Sequence, residues 1–135
     1  MFFKKKCPIC GAKNSQDATT CASCDAPFDL RQAEGQTAIE DYDEAIHLNS
    51  NDAEAYFNRG NAYHNLNKKK RAIEDYDKAI HLNPNDAEAY FNRGNAYKLQ
   101  GKKAEAIADF DKFITLTNNP LWIEKARREI KGLSE

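Results

Sequence analysis

Valine is absent from this chain, and leucine, isoleucine and phenylalanine number only 8, 9 and 7, about 18% of 135 residues. So small a share of large apolar side chains points, taken alone, to disorder. The missing valine also removes the residue that strands favour, which makes a large sheet improbable. No apolar run approaches the ~20 residues a membrane-spanning helix needs, and mean hydropathy is −0.83. No glycine-rich phosphate loop, no Ser/His/Asp arrangement and no strained acidic pair is visible, so no enzyme is expected. Against these absences stand 19 alanines, 6 tyrosines and a net charge of only −1. Small residues and rings can build a helical core, so an all-α fold is the expectation.

The near-zero charge hides a division. Residues 1–24 hold Lys4, Lys5, Lys6 and Lys13 against Asp17, a local +3, while the remainder carries 16 basic and 20 acidic residues, a local −4. All four cysteines lie in that first segment. Met1–Lys6 is too short for a secretory signal and no apolar stretch follows it. The chain is therefore expected in the reducing cytoplasm, where paired cysteines more often hold metal than form disulfides.

Cys7-Pro8-Ile9-Cys10 and Cys21-Ala22-Ser23-Cys24 are two C-x-x-C pairs with ten residues between them. Four thiolates fill the tetrahedral sphere of one structural Zn2+ and leave no position for a catalytic water. A redox dithiol would need one pair alone, on a βαβ background that is not present here. Gly11 suits the left-handed backbone that follows such a turn. The residues Cys7-Pro8-x-Cys10-Gly11-Ala12-x-Asn14 and Cys21-x-x-Cys24-x-x-x-Phe28 resemble small zinc-ribbon modules, over about residues 5–30. Asp25 departs from the second glycine usual after the last cysteine. With almost no apolar core, such a module would draw most of its folding free energy from the metal, on the order of 10 kcal/mol.

Beyond it the chain repeats itself. Residues 38–63 match residues 72–97 at 24 of 26 positions, offset by 34; only Glu44/Lys78 and Ser50/Pro84 differ. A fixed period of this length signals stacked repeats. Tyr56, Gly60 and Tyr63, and again Tyr90, Gly94 and Tyr97, lie at i, i+4, i+7 and form one stripe of a helix expected over about 53–66 and 87–99. Asn51 with Glu54, and Asn85 with Glu88, stand at capping-box spacing. Ala72, Ile73, Tyr76, Ala79 and Ile80 make the apolar face of a second helix. Glycine in mid-helix costs about 1 kcal/mol in propensity, so Gly60 and Gly94 imply close helix–helix approach.

These residues resemble the tetratricopeptide repeat. Tyr56, Gly60, Tyr63, Ala72, Tyr76, Ala79 and Pro84 meet its pattern in residues 53–86. Tyr90, Gly94, Tyr97, Gly101, Ala106 and Phe110 meet it in 87–120, with Phe113 in place of an alanine and Pro120 two residues late. The resemblance implies a helical-hairpin solenoid: a half repeat at 36–50, full repeats at 53–86 and 87–120, and a capping helix at 121–135 with Trp122, Ile123, Ala126, Ile130 and Leu133 on one side. Residues 1–30 form the ribbon module and 31–135 the solenoid. The half repeat lacks its first helix, so an uncovered apolar flank is expected near Ile39, Tyr42 and Ile46, for the ribbon or a second copy of the chain to cover.

A concave face lined by first helices would carry Phe57, Asn58, Asn61, His64 and Asn65, then Phe91, Asn92, Asn95 and Lys98. The two phenylalanines fall beside the tyrosine stripe and are expected to be exposed; the amides suit an extended peptide backbone. Asn61 and Asn92 match the asparagines of tetratricopeptide domains that clamp acidic chaperone tails, but Phe57 stands where that clamp has a lysine, which disfavours an acidic-tail ligand. Duplication alone would also explain identical groove residues. His47 and His81 lie one period apart and are explained by the repetition. Lys68-Lys69-Lys70-Arg71 reads as a solvated charge run in a turn. The expected function is a non-enzymatic adaptor for a peptide or protein partner; the alternative is a nucleic-acid-associated protein using the basic ribbon, Lys4–Lys6 included.

Overall fold

Each 34-residue period is built as two antiparallel helices, in a computed structural model that describes Lys5–Lys6, Lys13–Asn14 and residues 30–135. Strands β1 (Lys5–Lys6) and β2 (Lys13–Asn14) pair antiparallel, with Lys5 opposite Asn14. They are the only sheet among the described residues. Cys7, Cys10, Cys21 and Cys24, and with them the zinc expectation, lie outside the described residues.

The helices are α1 (Leu30–Leu48), α2 (Ala53–Asn65), α3 (Lys69–Leu82), α4 (Ala87–Leu99), α5 (Lys103–Leu116) and α6 (Pro120–Ser134). Each packs on its neighbours in chain order, and α2 also touches α4. The hairpins α2–α3 and α4–α5 each span one 34-residue period, with α1 before them and α6 after them. None of these helices is long and apolar enough to cross a membrane.

The core explains the thin aliphatic content. Ile39, Ala62, Tyr63, Ala72 and Tyr76 form one buried cluster; Tyr90, Phe91, Ala106, Phe110, Phe113 and Ala126 form the other. Alanines bring the backbones close and rings fill the gaps. At Gly60 an added Cβ would stand 2.8 Å from the Tyr76 ring, and at Gly94 3.1 Å from Phe110. Both glycines therefore mark close approach, as their mid-helix position implies.

Helix α1 starts at Leu30, and three local expectations are corrected. Ile39 is only 3% exposed, because it faces α2 and joins the first cluster; Tyr42 and Ile46 are half-buried. The helix caps fall one residue later than Asn51 and Asn85: the carboxylates of Asp52 and Asp86 accept from the backbone N–H of Ala55 and Ala89. The displaced asparagine amides have no such role, and Asn49 and Asn83 instead brace the turns through the backbone N–H groups of Asn51 and Asn85. Finally, α6 begins at Pro120, with Asn119 accepting from Leu121 and Trp122, so proline occupies the first turn, where its missing N–H costs nothing.

Candidate functional site

The first helices of successive repeats, α2 and α4, line one face, and α6 continues the row. Their register is constant: Asn61 meets Asn92, Phe91 meets Trp122 and Lys98 meets Glu129, each pair 31 residues apart. The residues expected to line a groove differ in their surroundings.

Asn61 is committed internally. Its Oδ1 accepts from the Tyr76 hydroxyl at 2.6 Å and from Asn92 Nδ2 at 2.9 Å, tying α2 to α3 and to α4. Burial, with Asp75 adding to it, pushes the Tyr76 pKa up, so the hydroxyl keeps its proton and remains a donor. One repeat on, the tyrosine is Phe110 and the second asparagine is Ala126, so neither arm of this ladder exists for Asn95. Asn58, Asn65 and Asn95 make no side-chain hydrogen bond among the described residues. Lys98 is paired with Glu129 across to α6.

The phenylalanines differ from expectation. Phe91 is 8% exposed, packed 4.9 Å from Phe113, 5.4 Å from Phe110 and edge-on to Trp122 at 5.4 Å. It is a core residue, because α6 lays its indole over it. Phe57 has no tryptophan opposite; it is half-buried and tilted against Tyr76 at 6.0 Å. His64 is half-buried, its Nδ1 without a partner among the described residues, and burial reinforced by Lys69 holds its pKa below the usual value. Leu121 and Trp122 remain exposed large apolar side chains, Trp122 by 44%.

Sequence reasoning missed the arginines. Arg59 on α2 reaches Asp75 of α3 through two hydrogen bonds, at 2.8 and 2.7 Å, and Asp43 of α1 at 2.7 Å. Arg93 repeats this with Asp109 of α5 and Asp77 of α3. Each guanidinium thereby joins three consecutive helices. Hydrogen bonding to Asp75 leads the rise in the Arg59 pKa; for Arg93 burial opposes the charge, and the bonds to Asp109 and Asp77 outweigh it. Burial also lifts the Asp109 pKa, with Arg93 opposing. The signal in the sequence was Asp41-Tyr42-Asp43, recurring as Asp75-Tyr76-Asp77 and Asp109-Phe110-Asp111. The inner aspartates Asp75 and Asp109 are buried, which only an ion pair explains.

Of the charge run, Lys68 caps α3 without a side-chain hydrogen bond, and Lys69 to Arg71 form the first turn, so the run is not confined to a turn. Arg71 donates to the Tyr63 hydroxyl. No group of three or more His, Cys, Asp or Glu side chains among the described residues is placed to hold a metal.

Comparison with known proteins agrees with the geometry. Family profiles described as tetratricopeptide repeat match residues 53–86 and 75–108, and one described as TPR repeat matches 36–67. No curated protein matches. The Arabidopsis OM64 TPR domain is 30% identical, over 77% of this chain and 84% of that one, with a TM-score of 0.68. The first TPR of Spaghetti (RPAP3), bound to the HSP90 peptide SRMEEVD, is 27% identical over 78% and 85%, TM-score 0.69. MamA is 29% identical over 73% of this chain, which spans 56% of the MamA chain, TM-score 0.68. Repeat period, helical hairpins and these likenesses agree: the chain belongs to the tetratricopeptide repeat family.

Proposed function

We propose that this protein is a non-enzymatic adaptor that holds an extended peptide or protein segment on the face formed by α2, α4 and α6. The observation that carries the reading is the division among the asparagines. Asn61 and Asn92 hold the helices in register, while the amides of Asn58, Asn65 and Asn95 make no hydrogen bond among the described residues. Each amide can both donate to and accept from a peptide backbone. Structures similar to this one hold peptides of HSP90 and HSP70. An acidic tail is not the expected ligand here, since Lys98 is already neutralised by Glu129.

The second part of the proposal concerns the N-terminal module: Cys7, Cys10, Cys21 and Cys24 bind one structural Zn2+. β1 pairs antiparallel with β2 and sets Lys6 opposite Lys13, which is compatible with the first C-x-x-C pair closing on a metal. Elemental analysis of the purified chain should give one zinc per molecule, lost on changing Cys7 and Cys10 to serine.

A pull-down from the native host tests the adaptor reading. The full chain should retain a partner that the Asn58→Ala/Asn65→Ala/Asn95→Ala variant loses, with helical circular dichroism unchanged. Partners that survive those changes but vanish when residues 1–30 are removed would place binding on the N-terminal module and contradict the proposal.

A further inference from the structure

The face formed by α2, α4 and α6 is not uniform along its length. Where α4, the end of α5 and the start of α6 meet, a cleft of about 570 Å³ opens. Phe91, Phe113, Leu116 and Trp122 give its apolar walls, and Asn92, Asn118 and Asn119 part of its polar rim. Glu88 is the one charged lining residue, and its carboxylate has no ion-pair partner among the described residues.

Duplication does not account for this cleft. One period earlier, Ala79 stands in place of Phe113 and Glu88 in place of Trp122. Of the aromatic walls, Phe91 recurs one period earlier as Phe57, while Phe113 on α5 and Trp122 on α6 have no aromatic counterpart there. Capping the core explains only part of the tryptophan. Its ring covers Phe91 edge-on, yet the residue stays 44% exposed, beside Leu121 at 76%. Lys125 stands 4.7 Å from the centre of the indole and also over the Phe91 ring.

We propose that this cleft takes a large apolar or aromatic side chain of the bound peptide, next to a basic residue that pairs with Glu88. The inference rests on the peptide-binding reading and specifies its ligand. Two features argue for this occupant. The exposed part of Trp122 and the half-buried Leu116, beside the nearly buried Phe91 and Phe113, gain from contact with a ring or a branched side chain, about 25 cal/mol for each Å² removed from water. The unpaired carboxylate at the mouth complements a cation and repels an acidic neighbour.

The chain contains one tryptophan, so its emission reports on the cleft directly. Random heptapeptides displayed on phage are selected on the full chain, and the enriched peptides are synthesised and titrated. The expected result is peptides that join Phe, Trp, Leu or Met to an adjacent Lys or Arg, shift the emission of Trp122 saturably, and bind Glu88→Lys at least fivefold more weakly, with Glu88→Gln intermediate. Enriched peptides that need Asn58 and Asn95 but leave the emission unchanged, or that bind Glu88→Lys equally well, would overturn this inference and leave the peptide-binding reading standing. Failure to enrich any peptide would overturn both.

Discussion

Replacing Arg93 by methionine would leave Asp109, nearly inaccessible to water, with its charge uncompensated. Removing one partner of such a pair costs about 3 kcal/mol, so the urea midpoint of Arg93→Met should fall sharply, and Arg93→Met/Asp109→Leu should recover much of the loss. The glycines make a sharper contrast. Gly60→Ala gains helix propensity but drives a methyl into the Tyr76 ring, a net cost of about 1–3 kcal/mol. Gly132→Ala meets nothing within 4 Å and should stabilise by about 0.5 kcal/mol. At His64 burial, with Lys69, favours the neutral ring, so below the usual pKa of 6.5 the unfolded chain binds more protons than the folded one. That contribution to stability is present above pH 6.5 and is lost as pH falls through 6.5 towards the folded pKa. His64→Asn should flatten the loss between pH 7 and 5.5 in thermal denaturation. Tyrosines, alanines and glycines of the core were readable from helical spacing. The arginine pairs were not, because Arg59 and its aspartates stand 16 residues apart, a separation that no local period marks.

At the scale of the elements, type and order followed from the 34-residue period, while the ends depended on competition between neighbouring cap residues. Asn51 and Asp52, like Asn85 and Asp86, are both competent caps, and the carboxylate takes the N–H groups at the positive end of the helix. Asp86→Ala should therefore cost about 1 kcal/mol, while Asn85→Ala should leave the denaturation midpoint almost unmoved. The status of the two phenylalanines was equally illegible from one helix. Phe57 and Phe91 stand in identical local sequence, and only Trp122 on α6 and Phe113 on α5 bury the second. Tertiary neighbours decided what periodicity could not.

Over the whole molecule, the solenoid is a row of helices held in register by two ladders: arginine–aspartate pairs between successive helices, and the Asn61–Tyr76–Asn92 contacts facing the groove. On α6, Glu124, Arg127, Arg128 and Lys131 are exposed charges. The family was legible in the sequence. Which groove residues remain available was not, since it depended on a hydroxyl present at Tyr76 and missing at Phe110. A bound peptide should sit across α2, α4 and α6. Amide hydrogen exchange of the full chain, with and without a selected peptide, should show added protection concentrated in α2, α4 and the first turns of α6. Protection confined to α3 and α5, or to residues 1–30, would contradict it.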